Sequence, residues 1–502
     1  MKESRSVKSH SDGQNPLWYL GIDWGTTGIS AVFLNYSTRC FYPWERFPTQ
    51  RTQVGVSLKL YLDWSLPGVD GASIIEEMVA QLQGMANEQE QYGQEIWNQL
   101  SGVIVGCPAH WSDAYRFNLR EAILRTGWVD QPHQILFLEE PIALVISELR
   151  DTAQGTQWQG ATLILDSGAT TTEFALVDVP LNKSQLKSEN FYLGSLAYGG
   201  DAIDQDIIAQ LLLNGDHPLL SASSEQEQGI KLPQVGEVDL ETRYQFSQYL
   251  GRSDWGQGLL AIAREVKHRL QAQNQITVRL KQQKWTIQRR DLEMKVFVPF
   301  LRALNREINR LFIKTGVAPQ GIRQALCTGG SASLVAIARW LRQKLPSAAI
   351  IQDRTPQGQP PKCSRVAYGL ANVPLYPQVL NTVRHQYSDY FLLLELLRVM
   401  PNEAIAEGQI FSLLEQRGIN TAVCGDRLRK LLAGNLPPGL LPKTSDRLYL
   451  SPQLEFNQPL FIAQGTGLYT LNPEQRAIVM NQFKQVLATS NQTLDDPYLV
   501  LW

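Results

Sequence analysis

The chain is poor in cysteine and histidine. Five cysteines (Cys40, Cys107, Cys327, Cys363, Cys424) and six histidines are scattered over 502 residues, with no C-x-x-C pair. That spacing excludes a disulfide framework and a zinc-finger ligand set, and it fits a reducing interior. No run approaches about 18 consecutive apolar residues, so no helical membrane span is expected. Charge of one sign is also missing: 46 Lys and Arg against 48 Asp and Glu leave a formal −2. Such a balance carries no electrostatic footprint for nucleic acid or an anionic membrane. Residues 1–16, MKESRSVKSHSDGQNP, are polar and lack the apolar centre of a signal peptide. They read as a disordered leader, and the expected location is cytoplasmic.

What the sequence does have is a repeated phrase. YLGIDWGTTGISAVFL over residues 19–34 returns as LILDSGATTTEFALV over residues 163–177. Each is an apolar run, an Asp, a Gly with threonines, and a second apolar run, which predicts two β-hairpins. A tight Gly/Thr turn offers backbone N–H groups and hydroxyls to an anion. The Asp beside it suits a divalent cation, Mg2+ with its waters, standing between carboxylate and phosphate. One such turn is common in ordinary hairpins; two facing copies, as internal duplication would give, predict a polyphosphate gripped from both sides.

The rest of residues 17–377 alternates strands and helices, which predicts α/β architecture. Residues 54–64 read as β-rich and 72–100 as a helix. LSGVIVGCP reads as a buried strand, and WSDAYRFNLREAILRTG as a helix starting at Ser112 or Asp113 and stopped by Gly127. ILFLEEPIALVISEL reads as strand, turn and helix, and NFYLGSLAYGGDAIDQDIIAQLLL as strand, Gly-Gly turn and helix. Residues 216–256 are polar and loop-like with one helix near 237–250, followed by a helix over 257–272. RRDLEMKVFVPFLRALNREINRLFIKTG reads as a further helix, and QALCTGGSASLVAIARWLRQKL as strand, Gly turn and helix. From about residue 380 the spacing becomes mostly helical. His110 beside Trp111 and Cys363 have no activating neighbours in sequence, and the 12 tryptophans form no periodic stripe.

In this order the motifs resemble the nucleotide-binding domain of the Hsp70 chaperones, within the actin, Hsp70 and sugar kinase superfamily. LGIDWGTTGISAVF resembles the first phosphate motif, and VIVGCPAHWSDAYRFNLREAILRTGW the strand–helix segment that follows it. FLEEPIALVI resembles the NEPTAAA turn, LILDSGATTTEFAL the second phosphate motif, and YGGDAIDQDII the LGGxDFDxxI turn. ALCTGGSASLVAIARWL resembles the adenosine motif, and RVAYGLANVPLYPQVL the segment that closes the domain.

The resemblance implies a two-lobed actin-like ATPase fold of duplicated RNase H-like subdomains over residues 17–377. Lobe I would span about 17–158 plus 350–377, and lobe II about 159–349 with a reduced insertion at 216–256. Residues 378–502 would form a separate, mostly helical C-terminal domain, without the family's acidic linker and peptide-binding sandwich. ATP/ADP and Mg2+ are the implied cofactors, and weak ATP hydrolysis driving a conformational switch, or a chaperone-like factor, is the implied activity. An unknown protein partner would be engaged through the C-terminal domain, with no nucleic acid and no membrane insertion.

Carried over position by position, Asp23 takes the Mg2+-water place, and Gly25, Thr26 and Thr27 the first phosphate contacts. Lys59 stands near the γ-phosphate. Glu140 helps order Mg2+ and the attacking water. Asp166 is the second motif's Asp, also reaching the metal through water, with Gly168 in its turn and Thr171 as its hydroxyl. Gly199, Gly200, Gly329, Gly330 and Ser331 line phosphate and nucleoside, and Lys267 is the kept lysine of the helical clamp. Several positions depart from the family. The clamp reads Arg264, Lys267, His268 and Gln271; Ser333 replaces the adenine-stacking Arg; Gly168-Ala169-Thr170 replaces GGG; and Glu173 replaces an Asp. A scaffold that has lost nucleotide therefore stays open as an alternative, with a carbohydrate kinase and a filament-forming actin-like protein behind it.

Overall fold

A computed structural model describes residues 17–26, 28–44, 47–48, 71–87, 96–97, 99–109, 113–130, 134–149, 159–213, 231–352, 363–380, 388–417, 419, 421–436 and 458–488. The first lobe is built from β1 (Trp18–Gly25), β2 (Gly28–Asn35), β3 (Cys40–Pro43), α1 (Gly71–Asn87), β4 (Leu100–Cys107), α2 (Asp113–Thr126), β5 (Ile135–Glu139) and α3 (Glu140–Leu149). Its strands form one mixed sheet in the order β3-β2-β1-β4-β5. The first three are antiparallel, and β4 and β5 run parallel to β1.

The second lobe repeats that plan. It contains β6 (Gly160–Ser167), β7 (Thr172–Val179), β8 (Phe191–Leu196), α4 (Gly200–Ile207), α5 (Leu240–Gly251), α6 (Asp254–Arg269), a hairpin of β9 (Gln275–Leu280) and β10 (Gln283–Gln288), and α7 (Val298–Thr315). β11 (Gln324–Thr328), α8 (Val335–Lys344) and β12 (Ala349–Gln352) complete it, and α9 (Arg365–Asn372) follows. The sheet order is β12-β11-β6-β7-β8, again three antiparallel strands followed by two parallel ones. The protein is thus an α/β molecule with two mixed five-stranded sheets of matching order.

Strand alternation explains how each sheet is covered on both faces. Ile29, Ala31 and Phe33 of β2 point into a core shared with α1 and α2, where Phe33, Trp44 and Trp97 meet edge-on or tilted at 4.9–5.4 Å. Val32 and Leu34 point the other way, onto Ala367 and Ala371 of α9. Helices α3 and α9 lie between the two sheets. Their core joins Ile104 and Leu138 of the first sheet to Ile164, Ala175 and Val177 of the second. The approach is so close that only glycine fits. A Cβ on Gly369 would stand 1.8 Å from the Ala143 carbonyl oxygen of α3, and one on Gly21 would stand 2.3 Å from the Ala371 nitrogen.

The C-terminal unit has its own core and consists of α10 (Ser388–Val399), β13 (Ile405–Ala406), α11 (Glu407–Gln416), α12 (Thr421–Leu432), β14 (Phe461–Ala463), β15 (Leu468–Leu471) and α13 (Pro473–Ala488). It is seated on lobe I, with α10 against α2 and a largely buried ion pair between Arg427 and Glu121.

Several expectations change. The helix expected over 72–100 is described only to Asn87, and Leu100 already begins a strand. β5 passes into α3 with no turn, because Glu140 is already helical. The β9–β10 hairpin was not expected, and the C-terminal unit carries a small antiparallel sheet in the order β13-β15-β14. β12 belongs to the second sheet, so the return to lobe I comes after Gln352 rather than at 350. The β-rich stretch at 54–64 lies outside the described residues. No helix among the described residues is long and apolar enough to cross a membrane.

Gly369→Ala must push α9 off α3, and overpacking of this kind costs about 2 kcal/mol or more. The expected outcome is a lowered Tm by calorimetry with the unfolding of both lobes affected together; an unchanged Tm would show that the crossing tolerates a methyl.

Candidate functional site

The two repeated turns are hairpins, and they face each other. In the first, β1 pairs with β2 so that Asp23 stands opposite Ser30 and Gly25 opposite Gly28. In the second, β6 pairs with β7 so that Asp166 stands opposite Glu173. A bond from the Gly168 N–H to the Thr171 carbonyl (2.9 Å) closes the second tip. The tips meet across the cleft, with Thr26 Oγ1 3.2 Å from Thr170 Oγ1. Asp23, Thr26, Asp166 and Thr170 are all half-buried, while Thr171 is buried.

Other expected residues gather around the second tip. The Gly200 and Asp201 N–H groups, at the start of α4, donate to the Gly168 and Ala169 carbonyls (3.0 and 2.7 Å). A Cβ on Gly199 would stand 2.6 Å from the Ala169 oxygen, so glycine is needed for this contact. Gly329 has φ +88°, and a Cβ there would stand 2.5 Å from Asp166 Oδ1. The Ser331 N–H donates to the Ser167 carbonyl (2.9 Å), and its hydroxyl donates to the Gly168 carbonyl (3.2 Å). The Ala169, Thr170 and Gly330 amides take no acceptor among the described residues and lie at the accessible edge of the cleft. Glu140 is the buried first residue of α3, where the helix dipole favours an acid.

Lys267, the kept lysine of the helical clamp, is engaged by protein. Its ammonium, nearly buried, bonds to Asp204 Oδ1 at 2.7 Å and donates to the Gly200 carbonyl at 3.1 Å. Burial pushes the Asp204 carboxyl up, and the Lys267 charge pulls the other way. Gln271 bridges α6 to the start of α8: it donates to the Lys267 carbonyl (2.8 Å) and accepts from the Val335 N–H (3.1 Å). The Ser333 hydroxyl donates to the Gly330 carbonyl at 2.7 Å. Glu173 reaches out of its own sheet, accepting from the Ala109 N–H of lobe I (2.9 Å) and from the Ser195 hydroxyl (2.6 Å).

Asp23, Gly25, Thr26, Glu140, Asp166, Gly168, Thr171, Gly199, Gly200, Lys267, Gly329, Gly330 and Ser331 are therefore described, and those around the two tips come together as geometry. Thr27, Lys59 and His110 lie outside the described residues. Sequence reasoning missed Asp204, the partner of Lys267; its only signal was a second Asp one helical turn after Asp201 in YGGDAID. Among the described residues, no group of three or more His, Cys, Asp or Glu side chains is arranged to hold a metal directly. No protein-family model and no curated protein matches the chain.

Removing one partner of a buried pair leaves a charge unpaired, which costs about 3–5 kcal/mol. Lys267→Met should therefore lose about that much stability at neutral pH. Its deficit should shrink in acid, because a protonated Asp204 no longer needs the ammonium; a carboxyl raised in the folded state favours folding at low pH. Denaturant titrations at pH 7 and pH 5 check both, and a deficit that grows in acid would contradict the assignment.

Proposed function

We propose that this chain is a nucleotide-responsive switch of the actin and Hsp70 kind, binding Mg-ATP between two lobes of RNase H-like construction. The observation that supports this reading best is the meeting of the two Asp-bearing hairpins at Thr26 and Thr170. Around that point stand unspent amides at Ala169, Thr170 and Gly330. Unspent N–H groups at a Gly-rich turn are what a phosphate needs, since they carry partial positive charge and are not already committed to a protein acceptor. Among the described residues no three-ligand metal set is present, and Asp23 and Asp166 are proposed to hold a cation through its waters.

In this reading the threonine hydroxyls and the unspent amides take the phosphate oxygens, and Asp23 and Asp166 hold the waters of the cation. Glu140 orients the water that attacks in line, so that catalysis is mainly positioning and charge stabilisation. Mg2+, when bound, neutralises charge on the phosphates. Binding favours whichever lobe spacing lets both tips reach the phosphates, and the conformational response is set by that difference in affinity.

The C-terminal unit is proposed as the surface that engages a protein partner. Its element order, helix, strand, two helices and two strands, with the first strand pairing to the last, is that of a winged helix. Residues 378–502 hold ten Lys and Arg against eleven Asp and Glu, so this module lacks the basic excess of a nucleic-acid reader. Arg429 of α12, on the helix that would read a groove, is paired with Glu407 and Asp426.

A second reading, a scaffold that takes no nucleotide, is favoured by one observation: Gln271 ties α6 directly to α8 where the family resemblance puts the base. Thermal shift separates the two. A ligand specific for the native state at a hundredfold excess over its Kd stabilises by about 2.7 kcal/mol, which raises Tm by several degrees. Mg-ATP is expected to produce such a rise, and Asp23→Ala and Asp166→Ala each to abolish it while leaving the unliganded Tm close to wild type. No rise at millimolar Mg-ATP or Mg-ADP would leave the scaffold reading standing.

A further inference from the structure

The carboxylate of Glu173 crosses from one lobe to the other. It belongs to β7, three residues from the tip of the second hairpin, and its side chain is 1% exposed. One oxygen is fixed within lobe II by the Ser195 hydroxyl on β8 at 2.6 Å. The other accepts the N–H of Ala109 at 2.9 Å, just past the end of β4 in lobe I. β4 lies beside β1 in the first sheet, so Ala109 is tied to the strand that carries Asp23. The bond therefore links the floors of the two hairpins, while Thr26 and Thr170 meet at their tips.

From this geometry we infer that Glu173 is an interlobe latch: it sets the spacing of the two hairpins through hydrogen bonds to protein, independently of any ligand. The inference rests on reading the hairpins as a clamp, and names what holds that clamp together when nothing is bound. The side-chain length matters more than the charge. An aspartate is shorter by one methylene, about 1.5 Å, which carries its oxygens out of hydrogen-bond reach of the Ala109 N–H. A glutamine keeps the length, and its carbonyl oxygen can still accept that N–H while its amide donates to Ser195. If Glu173 worked as a ligand for a cation instead, the order would reverse, since aspartate keeps the charge and glutamine removes it.

Glu173 is a positioning residue in this account, and its test needs no nucleotide. Spin labels on Asp130→Cys in lobe I and Lys281→Cys in lobe II, in a Cys40→Ser and Cys363→Ser background, report the interlobe distance in the full chain. Hydrogen exchange reports the Ala109 amide. Glu173→Gln is expected to keep the wild-type distance distribution and exchange rate. Glu173→Asp should broaden and lengthen the distribution and speed exchange of that amide about tenfold or more, because the bond that protects it is gone. Ser195→Ala, which frees the carboxylate's anchor, should give an intermediate broadening. Opening by Glu173→Gln with none by Glu173→Asp would overturn the latch in favour of a charge role, and unchanged distances in all three variants would overturn it outright. A failure of Mg-ATP to shift Tm would count against the switch and leave these distances as they are.

Discussion

Two sheets can act on one ligand only if something fixes their separation, and here that is the crossing of α3 and α9. The Ala143 carbonyl comes so near Gly369 that a single methyl has no room, and Gly21 admits α9 to the back of β1 in the same way. Burial on both faces then follows: β1 and β2 are mostly apolar, with alternate residues serving the outer core and the core between the sheets. Because β1 and β6 continue directly into the two tips, the helix crossing also fixes the starting points of the hairpins. The contacts Thr26–Thr170 and Glu173–Ala109 bridge the same two halves that this apolar crossing holds together.

Asp23, Asp166 and Glu173 are carried by the two hairpins, and Glu140 opens α3. Acids in a partly dry space repel one another unless something compensates them. The protein supplies that compensation unevenly. Glu140 has a helix N-terminus, Glu173 has an amide and a hydroxyl, and Asp204 deeper in lobe II has an ammonium. Asp23 and Asp166 are half-buried near the hairpin tips, where the Ala169, Thr170 and Gly330 amides take no acceptor among the described residues. Gln271, Ser333 and Lys267, by contrast, are all engaged by protein partners.

Much of this was legible because the sequence carries the same pattern twice. The strand–turn–strand reading of residues 19–34 and 163–177 holds, with each strand running slightly further at its outer end, since apolar runs interrupted by Gly and Thr admit few other structures. The β9–β10 hairpin was illegible for the opposite reason. QITVRL does alternate, with Ile276 and Val278 inward, but the turn hides the hairpin: Lys281 turns the chain at φ +51° without the Gly or Asn that normally marks such a turn. The start of α3 was legible, since Pro141 is tolerated in a first helical turn and the helix does begin at Glu140; only the separate turn before it is absent. At the site, residue types announced the two acids and the Gly turns. The destinations of Lys267, Gln271 and Glu173 depended on distances between elements far apart in sequence, which no local pattern carries.

The central claim is that two hairpins, far apart in sequence, act as one clamp on a polyphosphate. Hydrogen exchange followed by mass spectrometry, with and without Mg-ATP, tests it most directly. The account predicts that peptides covering residues 23–28 and 166–172 gain protection together and over the same concentration range. Protection of one hairpin without the other, or of neither, would contradict it.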